Sequence, residues 1–268
     1  MKGHFHGSHV FFIACLLSGF LLLSDSVAAE ESVSIASDIW CPFICGDDQE
    51  IDGGLLVDVA DEIFENVGMR LESPLIPLNR VMMLVSKSQV DGIYAPAITD
   101  QLMMSEVIVS SRACLYTHIN DDWKLEGIES LSAVTVTVID SYGYANGEFD
   151  QYLAQTKRQG STAIDVRVGD TAGITNVNML LAKRIKVLVE HESVMAYLMD
   201  QVAGNAWKKV RKAGCLKTPL PLNIGFGVNN PSAEKLVGIV NQGITQLKVS
   251  GRLDEIKARY GLGMNNKK

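Results

Sequence analysis

Residues 38–99 read DIWCPFICGDDQEIDGGLLVDVADEIFENVGMRLESPLIPLNRVMMLVSKSQVDGIYAPAIT, and the order of signals in that stretch decides the fold. Trp40-Cys41-Pro42 opens it, and Gly53-Gly54 makes a turn. Val57, Ala60, Ile63, Phe64 and Val67 then recur at i, i+3 and i+4, which predicts a helix over residues 55–67 closed by Gly68. Residues 69–76 read as a strand bounded by Pro74 and Pro77. Val81, Leu84 and Val85 form the apolar face of a second helix, and residues 90–97 read as the next strand. Strand and helix alternating in this way imply a mostly parallel sheet covered by helices.

The same alternation extends outward. Residues 33–36 and 107–115 read as strands on either side. A second unit begins at residues 133–139, where β-branched residues dominate, and turns at Asp140-Ser141-Tyr142-Gly143 into a helix carrying Phe149, Tyr152 and Leu153. A strand at 163–168, a helix at 171–183, a strand at 186–189 and a helix at 192–201 follow. The chain returns to extended structure at 222–228 and ends in two helices. Leu236, Val237, Val240, Ile244 and Leu247 line the first of them, between Pro231 and Gly251, and the second covers residues 253–260. With nothing else to cover, these terminal helices are expected to pack on the first unit. The predicted architecture is therefore α/β, with two lobes joined by two crossings near residues 114–120 and 216–223. Lobe 1 is read as 30–117 with 219–268 and lobe 2 as 118–218.

Residues 1–29 read as an export signal. Lys2 precedes an apolar run of about 14 residues from Val10 to Leu23, and Val27-Ala28-Ala29 supplies the small residues that signal peptidase accepts, which predicts cleavage after Ala29. The run is shorter than the roughly 20 residues a membrane span needs. Cys15 sits in that run without the leucine of a lipoprotein signal. The formal charge of -7 disfavours nucleic acid and anionic membranes as main partners. Of the five cysteines, four remain after cleavage, an even number in an oxidising compartment. Three pairings are possible, and Cys41–Cys45 with Cys114–Cys215 is the one expected. His118 and His191 are isolated, so no metal site and no cofactor is expected.

Several segments together resemble family 3 of the bacterial extracellular solute-binding proteins, the polar amino acid receptors of ABC importers. They are Gly54-Leu55-Leu56-Val57-Asp58-Val59-Ala60, Asn79-Arg80, Val90-Asp91-Gly92-Ile93, Ala182-Lys183-Arg184-Ile185-Lys186-Val187, Gly225-Phe226-Gly227, Gly251-Arg252-Leu253 and Tyr260-Gly261. The resemblance covers the chain after the signal. It implies the two-lobe periplasmic binding protein (type II) fold, a monomer in the periplasm, a small polar solute held between hinged lobes, and an inner-membrane ABC permease as partner.

In lobe 1 the resemblance points to Asp38, Trp40, Arg80, Tyr94, Ala95 and Thr99 as ligand-binding residues. In lobe 2, Ser141, Tyr142 and Gly143 follow a strand and open a helix. That arrangement either grips an anionic or polar group or leaves Ser141 as a simple cap. Asp170 and Thr171 open the following helix, where an acid in the family commonly holds an amino acid ammonium. Glu190 is expected to face the cleft in the family register. One departure stands out: amino acid binders carry an arginine three residues after the position of Thr99, where it clamps the ligand carboxylate in bidentate fashion, and here that residue is Leu102. Arg80 and Arg112 are the candidates to replace it. Trp123, Trp207 and the methionines Met82, Met83, Met103 and Met104 read as packing.

No Gly-x-Ser-x-Gly elbow, phosphate loop or His-Glu-x-x-His motif is present, and no cysteine has an evident base nearby in sequence. The chain therefore reads as a binding protein and not an enzyme. Two alternatives remain beside it: a lyase or dehydratase on the same fold using Glu190 or Asp170 as general acid or base, and a degenerate receptor or sensor module that no longer binds a standard amino acid.

Overall fold

The protein is described by a computed structural model covering residues 1, 3, 31–47, 49–145, 147–169, 171–202 and 204–262. The cleavage point after Ala29 and the candidate Asp170 lie outside the described residues.

The first unit comprises β1 (Ser32–Ala36), β2 (Cys45–Gly46), β3 (Ile51–Gly53), α1 (Leu55–Glu65), β4 (Arg70–Glu72), α2 (Leu78–Ser86), β5 (Gly92–Tyr94) and β6 (Leu102–Met104). A short β7 (Val109–Ser111) leads out of it. The second unit comprises β8 (Ala113–His118), β9 (Val136–Ile139), α3 (Glu148–Arg158), β10 (Ile164–Arg167), α4 (Ala172–Leu181), β11 (Val187–His191), α5 (Glu192–Asp200) and β12 (Val210–Cys215). The chain returns through β13 (Leu220–Leu222) to β14 (Ile224–Gly227), α6 (Ala233–Ser250) and α7 (Arg252–Arg259).

Two five-stranded sheets result, ordered β4-β1-β5-β14-β6 and β10-β9-β11-β8-β12. In each, the first three strands run parallel and the last two pair antiparallel. The parallel strands need helical crossovers, which is why α1 to α4 lie between them in sequence. The fourth strand of each sheet arrives across the hinge: β8 directly after the first crossing, β14 directly after the second. The two crossings hydrogen-bond to each other as β7 and β13, with Leu220 opposite Ser111 and Leu222 opposite Val109.

The first core is built by the apolar face of α1 (Leu55, Leu56, Val59, Ala60, Ile63 and Phe64) against Val240, Ile244 and Leu247 of α6 and Leu253 and Ile256 of α7. The terminal helices thus cover the first sheet, as the periodicity predicts. Gly243 lets α1 and α6 close on each other, since a Cβ there would lie 2.5 Å from Ile63 Cγ1. Gly54, at φ 113°, precedes α1 where any side chain would meet the Phe43 carbonyl at 2.5 Å. The C-terminal tail clasps the same point: Tyr260 donates its hydroxyl to Asp58 at 2.7 Å and accepts from Gly54 N–H at 3.0 Å.

Both expected disulfides are present, Cys41–Cys45 and Cys114–Cys215. The second joins β8 to β12 at directly opposed positions, where both crossings enter the second sheet. Four local readings differ. The strand read over 107–115 is two strands, because Arg112 separates the hinge pairing from the second sheet. Residues 102–104 and 210–215, not foreseen as strands, become β6 and β12. Val67, read as part of the α1 face, is 52% exposed because the helix ends at Glu65. Trp207 and Met83, both read as packing, are 46% and 45% exposed.

Candidate functional site

A cleft of about 320 Å³ opens between the two sheets. From the first unit it is lined by Asp38, Trp40, Tyr94, Ala95 and Thr99, from the second by Ser141, Tyr142 and Gly143, and from the second crossing by Leu220. The cleft continues over Asp38 and Tyr142 into a second hollow of about 310 Å³ walled by Asp140, Val168, Gly169, Ala172 and Gly173.

Each wall follows from local structure. Asp38 leaves β1 just past Ser37, which bridges to Leu75 and accepts from Ile76 N–H at 2.9 Å. Trp40 is held by the short disulfide loop, where its N–H donates to Ile44 O at 2.7 Å and its carbonyl accepts from Phe43 and Ile44. Its ring lies 4.8 Å from Phe43 and meets Tyr142 and His191 edge-on at 6.0 and 5.1 Å, so it joins the first unit to the second. At 9% exposure it is more enclosed than a free stacking platform. Tyr94 ends β5 with its hydroxyl 2.9 Å from Ser73 Oγ, and burial raises its pKa. Ala95 and Ser141, on opposite walls, both adopt left-handed backbone at φ 45° and 64°. Such conformations are costly for non-glycine residues and concentrate at functional sites.

On the second wall, the Ser141–Gly143 turn is fastened from behind. His191 Nε2 lies 3.1 Å from the Gly143 carbonyl, and Nδ1 lies 3.0 Å from Ser111 Oγ of the hinge strand β7. A carbonyl only accepts, so Nε2 carries the proton and Nδ1 takes the serine hydroxyl. Tyr144 stacks on the imidazole at 6.0 Å and accepts from Ile139 N–H at 2.8 Å. Asp150 accepts from the N–H groups of Tyr144 and Ala145. Burial pushes the His191 pKa down to about 4. Asp140, at the outer hollow, is held below the ordinary carboxylate range by Lys157, 3.0 Å away.

Of the residues proposed from sequence, Asp38, Trp40, Tyr94, Ala95, Thr99, Ser141, Tyr142 and Gly143 converge on the cleft. Arg80 does not: it is exposed on α2, while Leu78, Asn79 and Met82 of the same helix line the wall. Thr171 is an exposed residue ahead of α4, whose Ala172 and Gly173 reach the outer hollow instead. Glu190 does not face the cleft. It is 1% exposed, accepts from His191 N–H at 2.8 Å, and burial pushes its pKa up to about 8. Ser141 does not open a helix either, because α3 starts only at Glu148. Leu102 is 6% exposed in an apolar cluster with Val81, Val85 and Ile93, and Arg112 is exposed outside the lining. Among the residues the sequence reading passed over, Met82 was taken for packing, and its i+4 spacing from Leu78 was the available signal. Gln101 and His191 carried no pattern of their own.

One grouping among the described residues has the spacing of a metal site, Cys114, Cys215 and Glu192. Its sulfurs are bonded to each other and Glu192 pairs with Lys212, which leaves no thiolate to offer.

Two mixed sheets, paired crossings and a cleft between them define the two-lobe periplasmic binding protein fold. The chain is similar to an ancestral arginine-binding protein bound to arginine, at TM-score 0.68 and 18% identity over 85% of this chain and 97% of that one. It is similar to a histidine kinase sensor domain with similarity to periplasmic binding proteins, at TM-score 0.70 and 15% identity over 86% and 96%. It also matches an ancestral amino acid-binding protein described as a precursor of cyclohexadienyl dehydratase, at TM-score 0.63 and 17% identity over 85% and 94%. No protein-family profile and no curated sequence matches it. At these identities the likeness shows the fold. The solved neighbours are mostly binding proteins, with a sensor domain and a dehydratase forebear among them.

Proposed function

We propose that the chain is an extracytoplasmic solute-binding receptor that closes two lobes on a small polar molecule and delivers it to an ABC importer. The observation that carries this reading is the cleft itself, whose walls come from both sheets and whose floor includes Leu220 of the hinge. Its volume lies at the lower end of ligand pockets, which suits a metabolite of about amino acid size. In this reading Asp38, Trp40, Tyr94, Ala95 and Thr99 bind from lobe 1 and Ser141, Tyr142 and Gly143 from lobe 2. The protein acts as a monomer in the periplasm after loss of residues 1–29. Lobe 1 then takes 30–112 with 219–268 and lobe 2 takes 113–218, the boundary expected at 117 being drawn back because β8 pairs within the second sheet. No helix among the described residues is long and apolar enough to cross a membrane. The lyase reading that uses Glu190 is disfavoured because that acid is buried away from the cleft, while the other acid it could use, Asp170, lies outside the described residues.

The test is a melting screen of the mature protein against amino acids, amines, small carboxylates and neutral solutes, with mass spectrometry of each mixture. A ligand at about 100 times its Kd stabilises by about 2.7 kcal/mol, a rise of roughly 5–10 °C at this chain length. Flat melting across the screen, or appearance of product, would defeat the proposal.

A further inference from the structure

The helical period of α2 divides its apolar residues between two surroundings. Val81 and Val85, one turn apart, are sealed with Ile93 in the cluster beneath the helix. Leu78 and Met82, also one turn apart, form the neighbouring stripe. They are only partly buried, packing on that cluster from one side and lining the cleft on the other. The apolar interior of the first lobe thus surfaces in the cleft as hydrocarbon.

The same surface continues outward. Leu78 lines both hollows, and in the outer one it is joined by Pro77 ahead of its own helix and by Val168 from the second lobe. Val168 is 75% exposed. A single exposed valine is ordinary, whereas apolar side chains contributed to one hollow by both lobes can take the hydrocarbon of a ligand out of water from two sides. Each methylene moved from water onto such a surface strengthens binding about fourfold. Met82 adds adaptability, because its thioether is unbranched and polarisable and fits tails of different shape.

We propose that the solute is amphiphilic, a small polar head with an aliphatic tail of several carbons, the tail seated along Leu78 and Met82 and running outward between Pro77 and Val168. The inference rests on the receptor reading of the same cleft, and it fixes the tail while leaving the head free. Straight-chain series with different heads test it: the α-amino acids from alanine to norleucine, the carboxylates from acetate to hexanoate, and the amines from ethylamine to hexylamine. Each is titrated into the mature protein by calorimetry, with glutamine as a polar-tailed control and glucose as a control with no tail. In at least one series affinity is expected to rise about fourfold per added methylene. Met82→Gln, nearly isosteric at a partly exposed site, is expected to weaken the longest member of that series roughly 10-fold, and Met82→Leu to retain it. Circular dichroism checks the fold of each variant. If Met82→Gln does not fold, Val168→Thr at the exposed lip takes its place, with a loss of about 3- to 10-fold expected. Affinity that stays flat or falls with chain length, a rise undiminished in the variant, or binding of glutamine or glucose only overturns the inference and leaves the receptor standing. Silence from every series and both controls overturns both.

Discussion

Glu190→Gln isolates a buried acid whose effect on stability depends on pH in one direction. The carboxyl is fully enclosed on β11, its pKa moves from 4.5 up to about 8, and its hydrogen bond comes from the adjacent His191 N–H. The unfolded chain ionises this group above pH 4.5, whereas the folded chain keeps the proton until about pH 8. Stability is therefore undiminished below pH 4.5 and is lost as pH rises through that window. At 1.36 kcal/mol per unit, the loss is roughly 3 kcal/mol at pH 7 and roughly 5 kcal/mol above pH 8. Glutamine keeps the acceptor and cannot ionise, but its amide adds a buried donor that costs about 1–3 kcal/mol at every pH if unpaired. The informative quantity is thus the slope, not the offset. Urea unfolding of both proteins from pH 5 to 8 should show the variant gaining about 1.4 kcal/mol per pH unit relative to wild type. A difference that stays constant with pH would refute the argument, since a carboxylate already ionised in the folded chain binds no proton in either state over this range.

His191→Gln addresses the opposite limb: with the folded pKa lowered to about 4 from 6.5, the His191 contribution to stability should fall by roughly 3 kcal/mol as pH drops from 6.5 to 4, superimposed on the opposite trend from Glu190. The variant should lack that fall in urea titrations, and an unchanged acid limb would count against a buried neutral imidazole. Replacing Cys114 and Cys215 together by serine opens a loop spanning a sequence separation of 101, which should lower stability by up to about 4–5 kcal/mol and leave only the Cys41–Cys45 bridge for a reductant to act on. An equal melting point for the two proteins would contradict this. Gly243→Ala inserts a methyl 2.5 Å from Ile63 Cγ1 and should cost about 1–3 kcal/mol by urea midpoint; a neutral outcome would mean that α1 and α6 do not meet there.

The alternation of strands and helices was legible because a helix or strand shows its buried side in the spacing of its apolar residues. α1, α6 and α7 could be placed on that basis, as could the parallel core of each sheet, whereas the disulfide pairing was one of three that the cysteines allow. The cleft was half legible. Asp38 and Ala95 sit just past strand ends, Tyr94 ends β5 and Thr99 lies in the loop that follows, where ligands of such sheets gather, and Ser141–Gly143 follow β9 in the same way. Glu190 was misread because an acid at the end of an apolar strand looks the same in sequence whether it faces a cleft or a core. Arg80 was misread because one step around α2 separates an exposed arginine from Asn79 and Met82 on the wall.

The sequence by itself determined the local periods and the two units, since each depends on neighbours within a few residues. Only the tertiary structure decided that β8 and β14 each join the sheet on the far side of a hinge crossing, that His191 ties hinge, turn and Trp40 together, and that Glu190 is sealed away. Those outcomes depend on which distant segments pair across the hinge, and apolar spacing reports that a face is covered without saying by what.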